Sequence, residues 1–123
     1  MAIRQPTFTK IEGDDSAILV QWTGLLQGDT GAPVQLVKYA DRSVQVTGTF
    51  GAGGSVLIEG SNTSVDFATL NRLQGTPLSI SSAGISQILE NTVQLRPNVS
   101  GGDATTNLSV AVLIRTATAI MRK

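Results

Sequence analysis

The sequence predicts an all-β chain: a single-domain β-sandwich or barrel of about eight short antiparallel strands, with extended terminal arms. Three observations predict it. Val, Ile and Thr recur in short runs that alternate with polar residues. Clusters of Gly, Asn, Asp and Pro punctuate those runs at intervals of roughly ten residues. No long window carries a helical period. The 123 residues suit one domain, large enough to bury a core of its own.

The elements follow in order. Residues 1–16 hold few alternating positions and end in the turn-like Gly13-Asp14-Asp15-Ser16, so they read as an N-terminal arm. The sandwich domain spans 17–115. Its first strand is Ala17 to Thr23, with Ile18, Val20 and Trp22 on one face. LQGDTGAP, Leu26 to Pro33, is a loop, and Val34 to Val37 a short edge strand. Arg42 to Phe50 alternates most regularly, and Ser55 to Glu59 answers it across Gly51-Ala52-Gly53-Gly54. Together they read as a β-hairpin. Phe67 to Leu70 and Pro77 to Ser81 are further strands, and Ser82 to Glu90 fits a helical turn. Thr92 to Val99 resumes alternation, with Pro97 assigning its far end to an edge or a bulge. Asn107 to Arg115 is the last strand, and 116–123 is a C-terminal tail. The predicted core is Val44, Val46, Val56, Ile58, Val93, Leu95, Val110 and Val112.

Composition narrows the chemistry. Nine basic and nine acidic residues cancel, which argues against nucleic acid as a partner held by counterion release. Without cysteine or histidine there is no thiolate or imidazole ligand and no Ser-His or Cys-His pair. The carboxylates sit mostly in or beside turns, and Glu59 is placed to pair with Arg42 or Arg115. Asp14, Asp15 and Asp29 lack the calcium-loop spacing. The GAGG segment lies between alternating strands with no Lys after it, so it reads as a turn and not a phosphate cradle. No enzyme activity, metal or cofactor is expected. The longest apolar stretch, Val110 to Ile114, is too short to span a membrane, and no membrane partner is expected. Candidate partner-binding residues are Ile3, Phe8 and Ile11 in the arm, Tyr39 beside Asp41 and Arg42, and Ile120 and Met121 in the tail.

The order WTGLLQGDTGAPVQL, then DRSVQVTGTFGAGGSVLIEGSN, then LSISSAGISQILENTVQLRPNVSGGDATTNLSVAVLIR, resembles the small capsid decoration (cement) proteins of tailed bacteriophages. That resemblance covers Trp22 to Arg115 and rests on segment order and turn placement. It implies a jelly-roll-like β-sandwich that serves as a structural virion protein, made in the host cytoplasm and bound as a homo-oligomer to the major capsid protein on the capsid exterior. The alternatives are a carbohydrate-binding or adhesion module on the virion, or a tail or head-completion subunit. TVQLRPNV also resembles the late strand of galactose-binding-like sandwiches. The aromatic that accompanies the Arg there is replaced here by Gln94 or Leu95.

Overall fold

The computed structural model describes residues 2–11, 14–37 and 39–116, and every helix or strand among them is a strand. In chain order these are β1 (Ile3–Arg4), β2 (Thr7–Ile11), β3 (Asp14–Leu25), β4 (Thr30–Gly31), β5 (Val34–Gln35) and β6 (Tyr39–Thr49). Then follow β7 (Ser55–Ser61), β8 (Ala68–Thr69), β9 (Ser79–Ile80), β10 (Gly84–Gln87), β11 (Gln94–Ser100) and β12 (Asn107–Thr116). One sheet runs β1-β4-β11-β7-β8, with β5 also on β11 and β9 also on β7; the other runs β10-β6-β12-β3-β2. The pairings are antiparallel except β1 on β4. The chain passes repeatedly from one sheet to the other, the course of a jelly-roll sandwich.

Alternation explains what the sheets bury. Val44, Val46, Val56, Ile58, Leu95, Val110 and Val112 all point inward and are buried. Each fully buried aliphatic side chain contributes roughly 1.5–3 kcal/mol of transfer free energy. Trp22 is fully buried, and its indole N–H donates to the Ala32 carbonyl at 3.1 Å. Gly31 lets that loop lie close: a Cβ there would fall within 2.6 Å of the Pro97 ring and the Trp22 indole. Val93 departs from the predicted core. It precedes β11 and is half-buried, its N–H donating to Asn62 Oδ1 and its carbonyl accepting the Leu36 N–H.

Several predicted elements take a different form. Arg42–Phe50 and Ser55–Glu59 are not a hairpin, because β6 and β7 belong to opposite sheets. Their inward valines meet across the core instead of side by side. The glycine segment turns the corner against residues 100–103. Gly101 sits at φ +68°, and a Cβ on it would strike the Gly53 carbonyl. Asp103 caps the same corner by accepting the Ala52 N–H at 2.9 Å, and buried Thr106 donates to the Phe50 carbonyl at 2.9 Å. The predicted helical turn contains β10, which pairs with β6. Extended backbone sends Ile85 outward and Ile88 inward, where helical spacing would have grouped them. Pro97 lies in an inner strand. Its missing N–H is tolerated because β11's outer neighbour is interrupted there, β5 pairing at Gln94 and Leu95 and β4 at Asn98.

The segment read as an N-terminal arm contributes β1 and β2 to the chain's own two sheets. Its anchor is Asp29, a buried carboxylate in the predicted loop. Asp29 accepts from the N–H groups of Ala2 and Leu26 and from Arg4 Nε, each at 2.9 Å. Asp29→Ala should therefore cost about 2 kcal/mol by orphaning those donors, read as a lower midpoint in urea.

Acid should weaken the same anchor. Burial pushes the Asp29 carboxyl up, but the Leu26 N–H, Arg4 and the Ala2 N–H outweigh it and hold it below its ordinary value. At Glu90, burial is likewise outweighed, chiefly by the Asn71 N–H and side-chain amide at 2.8 and 2.6 Å. Both groups bind protons less readily folded than unfolded. Their stabilisation is complete above about pH 5 and is lost as pH falls through 4 and below. Melting temperatures at neutral pH and near pH 3.5 should show that fall, and Asp29→Asn should shrink it.

Candidate interaction surfaces

The space between the sheets is filled by aliphatic side chains and Trp22, so the described residues present their chemistry on the outside. Two outer faces differ in character. On the seven-stranded sheet, β7 and β11 carry outward residues opposite one another: Glu59 pairs with Arg96, and Leu57 with Asn98. Arg96 Nε donates to Glu59 Oε1 at 2.9 Å, Asn98 Nδ2 donates to Glu59 Oε2 at 3.3 Å, and Thr30 Oγ1 donates to Asn98 Oδ1 at 3.2 Å. The Arg96 guanidinium lies 4.0 Å from the centre of the Phe67 ring. The predicted partners of Glu59, Arg42 or Arg115, are replaced by Arg96 and Asn98 on the adjacent strand. This partly exposed pair should be worth about 1 kcal/mol. A double-mutant cycle with Glu59→Ala and Arg96→Ala would measure it by urea unfolding.

The outer face of the five-stranded sheet is more apolar than a wet sheet face. Ile11, Leu19, Ile85, Ala111 and Leu113 line a hollow of about 300 Å³, with Ser43 and Gln45 between them. A second hollow, of about 380 Å³, continues from it past Ser86 and Gln87 to Asp41 and Arg115. The strand alternation that buries Val44, Val110 and Val112 puts these residues on the opposite side. Ile85 stands out from edge strand β10, 70% exposed.

The predicted partner-binding residues fall in different places. Ile11 lines the apolar hollow. Ile3 and Phe8 are exposed on β1 and β2, away from the core. Tyr39 is half-buried at the start of β6, packed against the core, and its N–H donates to the Leu36 carbonyl at 2.9 Å. Ile120 and Met121 lie outside the described residues. Sequence reasoning missed Leu19, Ile85 and Leu113. Leu19 and Leu113 each sit between neighbours that point into the core, an apolar residue at an outward position, which is a readable signal once the strand is placed. Ile85 was hidden by the helical reading of its segment.

No acidic cluster of three or more potential metal ligands occurs among the described residues, and Asp29 is committed to Arg4 and two backbone donors. Asp14 and Asp15 open β3. No helix among the described residues is long and apolar enough to cross a membrane.

No family model matches the chain, and no curated protein matches it. Solved structures to which the chain is similar, at low identity, include two cupin proteins. A cupin domain from Bordetella pertussis Tohama I is 13% identical with a TM-score of 0.49, over 96% of this chain and 99% of that one. An RmlC-like cupin protein from Desulfovibrio desulfuricans is 9% identical with a TM-score of 0.47, over 90% of this chain and 82% of that one.

Proposed function

We propose that the chain is a structural subunit, a capsid decoration protein that binds a phage shell through its outer surface. The observation that carries this reading is the exposure of two large apolar side chains, Ile3 at 69% on β1 and Phe8 at 61% on β2, outside a core packed with aliphatic side chains. Apolar area held outside a well-packed domain marks a surface that meets another macromolecule. The resemblance in segment order to decoration proteins supports the major capsid protein as that partner.

The test is co-sedimentation of the full chain with shells lacking it. The chain should pellet with the shells, and the double variant Ile3→Asp, Phe8→Asp should pellet less while melting like the parent. Point substitutions are preferable to deleting residues 1–12, because that deletion would remove β1 and β2 from their sheets. A parent chain that stays in the supernatant overturns the reading.

One observation favours a second reading, a carbohydrate-binding module. Glu59, Arg96, Asn98 and Phe67 gather charge, amide and ring on one sheet face. The aromatic absent from the Arg strand is supplied from another part of the chain. Titration with simple sugars, followed by amide chemical shifts of β7 and β11, distinguishes the two.

A further inference from the structure

We infer that the outer face of the five-stranded sheet is a self-association surface, its occupant a second copy of this chain related by a twofold axis. A twofold contact must be self-complementary: what one copy projects, the same patch on the other must receive. This face has both parts. Ile85 projects from β10 at the rim, 70% exposed, and the hollow beside it is lined by Ala111 and the cross-strand pair Leu19 and Leu113. At about 300 Å³ the hollow has room for an inserted aliphatic side chain. An offset twofold would seat each Ile85 in the other copy's hollow.

The polar residues of the face also suit a copy of itself. Ser43 and Gln45 each carry a donor and an acceptor, so they can bond their own kind. Asp41 and Arg115, cross-strand neighbours in register, put one charge of each sign at the end of the adjoining hollow. A face of a single sign would repel its copy; this one does not. The area is adequate. Five strands about 4.8 Å apart, over about eight residues at ~3.3 Å each, span on the order of 600 Å² before side-chain relief is counted. Stable complexes bury about 800 Å² per partner, within reach of such a face with its rim.

The inference concerns this face alone and is tested without shells, so its failure is separable from failure of the decoration reading. Sedimentation equilibrium of the full chain, up to high micromolar concentration, should show a monomer–dimer equilibrium. Ile85→Asp should weaken dimerisation by about tenfold or more, since it puts a charge where an apolar anchor would be desolvated. Gln45→Arg, also at an exposed position, should do the same, and Val65→Asp, on an exposed loop of the other sheet, should leave the equilibrium unchanged. At concentrations low enough for the parent to be monomeric, melting curves of all three should match it. A monomeric parent overturns the inference, as does a dimer indifferent to both Ile85→Asp and Gln45→Arg. A parent that is monomeric until residues 117–123 are removed would assign the face to that segment of the same chain, and overturns it too.

Discussion

Val46→Asp should lose about 4 kcal/mol or more of folding stability. Val46 is fully buried on β6, with Val110 of β12 on one side and Gly84 of β10 on the other. Its side chain points into the aliphatic core, where a carboxylate finds no cation and no donor to replace water. The cost combines lost apolar transfer with burial of an unpartnered polar group, the combination that produces the largest single-site losses. Domains of this kind have only about 5–15 kcal/mol in total, so the variant should be unfolded or nearly so at room temperature. Val46→Ala separates the two parts. It removes volume without adding polarity and should cost markedly less. Urea titrations followed by circular dichroism measure both. If Val46→Asp melts like the parent, β6 does not face the core as described.

How much of this was legible follows from what alternation can and cannot say. Alternation reports which side of a strand is buried, and it placed Val44, Val46, Val56, Ile58, Val110 and Val112 correctly. It is silent on which strand lies next to which. The valines of β6 and β7 look identical in sequence whether the strands are hairpin partners or face each other across a core, and GAGG suits a hairpin turn and a corner alike. Short elements fail differently. β1, β4 and β10 hold two to four residues, too few for a period to show, and they exist because longer neighbours offer open edges. The Ile85, Ile88, Leu89 spacing suits a helix, but in extended backbone Ile85 and Ile88, three residues apart, fall on opposite sides.

Among the surface residues, Ile11 was found by its apolar character, whereas the hollow it lines needed the sheet order. Leu19 and Ile85 are 66 residues apart in sequence and meet only because β3 and β10 share a sheet. The Arg96–Phe67 contact was invisible for the same reason. In galactose-binding-like sandwiches the aromatic lies on the strand that carries the Arg, whereas here the ring comes from the chain just before β8.

Arg42 supports the second large prediction, and its role could not be read from type or position. Sequence placed it at the start of a strand, free to pair with Glu59. It is instead buried, 3% exposed, and its hydrogen bonds go to carbonyl and hydroxyl oxygens. Its Nε donates to the Tyr39 carbonyl at 2.9 Å, and its Nη2 to the carbonyls of Leu36 and Thr92 at 3.3 and 2.6 Å. Its Nη1 reaches the Glu90 carbonyl and Thr92 Oγ1 at 3.5 and 3.4 Å. One side chain thus ties the β5–β6 connection to the β10–β11 connection, each of which crosses from one sheet to the other. Burial lowers the guanidinium's pKa, yet the group stays charged, as Arg does throughout the protein pH range. Carbonyl dipoles arranged around it take the place of a counterion. Arg42→Met should cost about 3–5 kcal/mol, because it keeps the aliphatic stem but leaves several inward carbonyls without donors. Arg42→Lys should recover only part of that loss. Its single ammonium cannot span the fork that reaches Leu36, Tyr39 and Thr92 together. Amide hydrogen exchange then checks the location of the damage. In Arg42→Lys, protection should fall first at Leu36, Tyr39 and Ile88, whose N–H groups hold the two connections in place, while the centre of β12 stays protected. Uniform loss across β6 and β12 would mean that Arg42 supports the whole sheet and not the junction, and an Arg42→Met variant as stable as the parent would mean that those carbonyls find other donors.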